Sequence, residues 1–166
     1  TSIDEYLDNT IKKHELTRAD KEKDRIRHVD ILNANTGPIF LTYRKNDEIS
    51  STVESWMNNN QPVYDFVSDG VNQTVWAVDD AKTVNRLSAL FDTVPAMYIA
   101  DGHHRCASAV RVGEMRRKAN PDHTGEEEFN YFLAVAFPDK ELEIMDYNRV
   151  VKDLNGLDEN EFITAI

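Results

Sequence analysis

Residues 96–112 read AMYIADGHHRCASAVRV, and this stretch limits what the chain can fold into more than any other. The short apolar run 96–100 predicts a buried strand, Asp101-Gly102 a sharp turn, and the small residues that follow Arg105 a helix able to pack closely on a sheet. A strand that turns straight into a helix is the building unit of α/β folds. The helix N-terminus then opens beyond the carboxyl end of the strand.

The other patterns agree with that class. Residues 2–13 predict a short helix with Ser2 as its N-cap and Ile3, Tyr6, Leu7 and Ile11 on one face. A second helix starts where Thr17 and Asp20 have capping-box spacing and runs to about Leu32, with Ile26, Val29 and Ile31 or Leu32 as its buried stripe. Residues 38–44 read as a central strand and 51–58 as a helix. Residues 62–67 and 74–79 read as strands joined through Ser68-Asp69-Gly70 into a hairpin, and 79–91 as a helix. A polar loop at 119–128 is expected to be the least ordered part. Beyond it, 130–138 and 141–151 predict two coupled strands and 157–166 an amphipathic helix. The expectation is an α/β (α+β) fold, a mixed sheet with flanking helices in one domain over residues 1–166.

Composition enters mainly as exclusion. The chain is 40% apolar and 30% charged and has no run of eighteen apolar residues, so no membrane partner is expected. The single cysteine, Cys106, has no internal disulfide partner and fits a reducing cytoplasm. Thr1 opens the chain without a methionine or a secretory pattern, so an excised middle portion of a longer protein is expected. A net charge of −11 argues against duplex nucleic acid. Residues 12–27 nevertheless carry seven basic and four acidic residues, a local excess that points to a small anionic ligand.

The chemistry gathers at the 101–105 turn. Gly102 lets the backbone approach a ligand, the helix N-terminus offers unpaired N–H groups, and His103, His104 and Arg105 add side-chain donors. An arginine clamps two phosphate oxygens and a histidine donates a hydrogen bond or carries a proton. Adjacent histidines diverge by about 100°, and no His-x-x-x-His pair exists, so no dedicated zinc site is expected. Asp101 is instead the candidate oxygen ligand for a divalent cation that a phosphate ligand would bring in. Cys106 lies near a helix start beside Arg105 but reads as a small core residue rather than a nucleophile. The second constellation is KKHELTRADKEKDR at 12–25. Here His14 and Glu15 sit at a junction, and Arg18, Lys21, Glu22 and Arg25 fall at i, i+3, i+4 and i+7 on one helix face. A carboxylate among cations stays ionised and can act as a general base or hold magnesium, while the same spacing also suits an ordinary charged face.

Taken in order, IKKHELTRADKEKDR, TGPIFLTY, WAVDD, YIADGHHR and YFLAVAFPDKELEIMDYNRVV resemble a bacterial and archaeal family known as a domain of unknown function, the 1015 family. The resemblance covers nearly the whole chain and implies a longer parent protein. The commonest family form continues DGHHRY, where this chain has Cys106, which argues against a general role for the thiol. The D-G-H-H-R turn is also similar to the nucleotide-phosphate turn of the ParB and sulfiredoxin superfamily. That likeness puts Gly102, His104 and Arg105 on phosphate-binding positions, and His103 where sulfiredoxin has its catalytic cysteine, so the redox chemistry does not transfer. An archaeal kinase of free serine on the same superfamily fold makes small-molecule phosphoryl transfer the enzyme precedent.

The resemblance therefore implies a ParB/sulfiredoxin-like core that binds a nucleotide or other phosphorylated metabolite, with magnesium and ATP or ADP. Asp101, Gly102, His104, Arg105, His14, Arg18, Lys21 and Arg25 would hold phosphate, and Glu15, Glu22 or His103 would move the proton. A non-catalytic nucleotide sensor and a phosphate-ester hydrolase are the alternatives.

Overall fold

The computed structural model describes residues 1–16 and 22–166, together with the backbone of 19–21. Helix α1 (Ile3–Leu7) starts at Ser2, whose hydroxyl accepts the Asp4 N–H while the Glu5 carboxylate accepts the Ser2 N–H. It stops well short of residue 13. The Asp8 carboxylate accepts the Thr10 N–H and Asn9 takes φ 67°, which turns the chain into a two-residue strand, β1 (Ile11–Lys12). Ile11 has helical spacing from Ile3 and Leu7, so periodicity alone favoured a helix; pairing with Met97 makes it a strand residue.

Helix α2 (Ala19–Leu32) ends where expected, while Thr17 and the side chain of Asp20, the two members of the expected capping box, lie outside the described residues. Ile26 and Val29 are half-buried, whereas Ile31 and Leu32 are exposed and Glu22 continues the inner stripe instead. Strand β2 (Ile39–Tyr43) buries Ile39, Leu41 and Tyr43 on one face. Helix α3 (Asp47–Asn59) is longer than its apolar pattern suggested because Asn46 caps it, accepting from the Glu48 and Ile49 N–H groups.

Strands β3 (Tyr64–Ser68) and β4 (Val71–Val75) form the expected hairpin, with positive φ at both Asp69 and Gly70, the turn that matches strand twist. The hairpin is a separate two-stranded sheet, and every β3 residue is exposed rather than half-buried. Residues 76–79 leave the ladder, and the Trp76 indole donates to the Asn60 carbonyl. Helix α4 (Ala81–Phe91) follows, capped by Asp80.

Strand β5 (Met97–Asp101) leads through Gly102 into α5 (His103–Ala119), as 96–112 predicted. The polar loop after it is knit by Glu127, whose carboxylate accepts from the Thr124 and Gly125 N–H groups. Strand β6 (Ala134–Pro138) is shorter than expected because residues 128–130 form a 3-10 turn. Residues 142–151 are not a strand: Ile144, Met145, Tyr147 and Val150 are exposed, and the segment has no ladder partner. Apolar alternation makes a strand only where a neighbour takes up its backbone groups. Helix α6 (Glu159–Ala165) closes the chain with a reciprocal Asp158/Glu161 cap.

The main sheet runs β1-β5-β2-β6, with β1 parallel to β5, β5 antiparallel to β2, and β2 parallel to β6. With six helices among the described residues, this is the α/β class with a mixed sheet, and β2 is central as expected. The core of Ile3, Ile11, Ile39, Leu41, Ile99, Cys106, Val110 and Phe132 lies between α1, the sheet and α5. At Gly113 a Cβ would lie 2.6 Å from both Ile3 Cδ1 and the Phe129 carbonyl oxygen, so glycine sets how closely α5 packs there. In the β5–β2 register Leu41 faces Ile99 but Phe40 faces Asp101; Ala100 is the extra residue of a bulge just before the turn. No described helix is long and apolar enough to cross a membrane.

Candidate functional site

Four helices with a described N-cap, α1, α3, α4 and α6, receive a side-chain acceptor at their first turn. The cap of α5 is Gly102, at φ 96° and ψ 27°, and it supplies none. The Cys106 N–H closes the first helical turn onto the Gly102 carbonyl, leaving the N–H groups of His103, His104 and Arg105 without an intrahelical acceptor. These donors, with the positive end of the helix dipole, favour an anion.

The turn borders a cleft of about 660 Å³ lined by Glu15, Asp24, Arg25, Asp101, Gly102, His103, His104 and Arg105. Two segments some ninety residues apart therefore meet, which only the pairing of β1 with β5 and the packing of α2 on α5 can arrange. Arg25 and Arg105 also border an adjoining small recess with His28, Thr36 and Gly37.

His103 joins the two walls. Its side chain is only 4% exposed; Nδ1 stands 3.5 Å from Glu15 Oε2, and Nε2 accepts the His14 N–H at 3.5 Å. The His14 ring lies edge-on to it, with centroids 4.4 Å apart. Burial and the neighbouring His14 push the His103 pKa down, against the opposing pull of Glu15 and Asp101. The neutral ring that results carries its proton on Nδ1, toward Glu15, because Nε2 is an acceptor. In this arrangement His103 orients Glu15, and the 57% exposed Glu15 carboxylate is the group that can meet a substrate proton.

Arg105 folds back over the turn, and its Nη2 donates to Asp101 Oδ2 at 2.7 Å. A Cβ on Gly102 would stand 3.0–3.3 Å from the guanidinium, and one on Gly37 would lie 3.8 Å from Arg105 Cδ. Two glycines thus flank this side chain. Among the described residues, the buried atoms His104 Nδ1 and Arg105 Nε have no hydrogen-bond partner. Two unmet donor or acceptor atoms beside one cleft are the kind of debt a bound ligand settles.

Of the residues singled out in the sequence, Glu15, Arg25, Asp101, Gly102, His103, His104 and Arg105 line the cleft, and His14 touches it through His103. Arg18 and the side chain of Lys21 lie outside the described residues. Glu22 does not join the others: it faces α5, 3.5 Å from Arg111 Nε, and lines a different depression with Tyr6 and Glu114. It shares the inner stripe with Ile26 and Val29, whereas Arg25 lies one residue round the helix toward the turn. The Asp101 carboxylate is engaged by Arg105, and among the described residues no three His, Cys, Asp or Glu groups converge to hold a metal ion. Cys106 is fully buried, and burial pushes its thiol up to about 12, which leaves no thiolate to attack at neutral pH.

Sequence reasoning passed over Asp24, His28 and Gly37. The glycine of TGP carried a usable signal, a small residue just before a strand; Asp24 and His28 carried none.

A family model described as a protein of unknown function (DUF1015) matches residues 1–166. No curated protein and no solved structure matches the chain.

Proposed function

The chain belongs to the DUF1015 family, proteins of unknown function, and we propose that its cleft binds the phosphate groups of a nucleotide or other phosphorylated metabolite and serves phosphoryl transfer to a small molecule. The observation that carries this reading is the uncapped N-terminus of α5 at a cleft that also holds Arg25 and Arg105. The first-turn N–H groups and the Arg105 guanidinium would hold phosphate oxygens, with His104 as a further donor. Arg25 would balance the remaining charge. The likeness of the turn to those of ParB and sulfiredoxin accords with a phosphate subsite.

Phosphoryl transfer asks chiefly for positioning and charge neutralisation. Glu15 is the candidate base, held in place by His103 Nδ1–H. A magnesium ion would enter with the nucleotide and neutralise charge developing on the transferred group. The phosphates would supply most of its oxygens, with Asp101 joining once a ligand has drawn Arg105 away.

The experiment is binding of ATP and ADP with magnesium, followed by tracing labelled phosphate in a pool of small hydroxyl metabolites. Nucleotide binding is expected, weakened about ten- to a hundredfold by Arg105→Ala, as befits loss of a charge-assisted contact. Label should move to an acceptor. Binding without transfer would establish a sensor, and release of label to water alone a hydrolase. No binding of any nucleotide or phosphate compound would overturn the reading.

A further inference from the structure

The two edges of the main sheet are finished differently. On one side β1 is two residues long and ends in Lys12, the short, charged form in which sheets commonly leave an edge. On the other side β6 carries Ala134-Val135-Ala136-Phe137, with no charged residue and an unbroken register against β2. Val135, Ala136 and Phe137 are exposed, and among the described residues no strand pairs with the outer side of β6. An uncharged, exposed edge is a template for a further strand.

The same chain holds a segment with the sequence of a strand and no ladder, residues 142–151. Its Ile144, Met145, Tyr147 and Val150 are 84–97% exposed. Asp139 keeps this segment from turning back onto its own β6. The Asp139 carboxylate accepts from Arg44 Nη1 at 2.8 Å and from the Lys45 N–H at 3.0 Å, which holds the exit from β6 against the end of β2, on the inner side of the strand. The surface as a whole is also too large for a self-contained body. The chain exposes 12496 Å², whereas a folded monomer of 19.0 kDa exposes about 8,400 Å². The excess, about 4,000 Å², exceeds the roughly 1,000–2,500 Å² that each chain contributes to an obligate homodimer.

We propose that two copies of this chain exchange these segments, residues 142–151 of each pairing as an added strand with the β6 edge of the other. The pairing gives both sets of backbone groups a partner and sets the apolar side chains of the segment beside Val135 and Phe137. A second copy is the partner that fits, because both halves of the contact lie on one chain. A two-fold axis satisfies the two at once and closes the assembly at two copies, whereas an unlike protein on either element leaves the other bare.

The test is sedimentation equilibrium of the chain over about 1–100 μM, with the variants Tyr147→Pro/Asn148→Pro and Val135→Lys alongside. Adjacent prolines remove N–H groups from both sides of the segment, so one falls in the new ladder whatever its register. Residues 147 and 148 carry no ladder in the single chain, so this variant is expected to fold, and circular dichroism checks it. Val135→Lys charges the receiving edge and repeats the test from the other strand. The unaltered chain is expected to be dimeric at about 10 μM, and each variant to associate at least about a hundredfold more weakly. A chain still monomeric at the top of the range overturns the proposal and leaves the edge to an unlike partner. A dimer that persists in either folded variant overturns it as well, since that dimer uses another surface.

Discussion

Replacing Gly102 by alanine separates the two demands that the turn places on this residue. One is conformational: φ 96° is strained for any residue with a Cβ, at about 1–2 kcal/mol. The other is contact: the added Cβ would meet Arg105 Nη2 at 3.0 Å and Nε at 3.2 Å, so the guanidinium must shift and loosen its bridge to Asp101. That bridge is largely exposed, and its loss adds no more than about 0.5 kcal/mol. A total near 2 kcal/mol corresponds to a fall in melting temperature of about 4–8 °C for a domain of this size. Gly125 supplies the control. It has φ 97° with nothing within 4 Å of a built Cβ, so Gly125→Ala carries the backbone strain without a clash. Thermal and urea melts should place Gly102→Ala below Gly125→Ala, and adding Arg105→Ala to each should narrow the gap. Titration with ADP should show weaker binding for Gly102→Ala and none of that loss for Gly125→Ala. Equal melts together with undiminished binding by Gly102→Ala would refute the view that glycine is there to admit the arginine.

The two other predictions concern buried groups. His103 is held neutral by burial, so its pKa in the folded chain lies below the unfolded value of 6.5. As pH falls below that value the unfolded chain takes up a proton that the folded one refuses, and stability declines. Urea midpoints at pH 7.5, 6.5 and 5.5 should fall in that order, with a shallower slope in His103→Gln; parallel slopes would be the contrary result. The Cys106 thiol, raised to about 12 by burial, should be inert to a disulfide reagent at pH 8 in the native protein and react fully once unfolded, as followed by absorbance.

Local signals carried much of the fold. The apolar run at 38–44, the Asp69-Gly70 turn and the cap at Ser2 all act within a few residues, and each element they announce is present. Readings failed where a partner element decides. Ile11 had the spacing of a helix and became a strand because Met97 lies beside it. Residues 142–151 had the alternation of a strand but no ladder to join. The hairpin was read as two sheet strands, yet every β3 residue and all of β4 but Thr74 stay exposed.

The site divides along the same line. The 101–105 turn was legible because strand, Asp-Gly and helix are contiguous, so its glycine cap and cluster of donors follow from chain order. That Glu15 would stand beside His103 and that Glu22 would turn toward Arg111 could not be read, since helical spacing gives an angle around α2 but not the direction in which α2 faces. That direction comes from burying Ile26 and Val29 against α5. The sequence by itself thus determined the chemistry available at the turn, through local backbone geometry. The tertiary structure alone decided which distant carboxylates and cations share its cleft, because only packing brings residues 14–25 to residues 101–105.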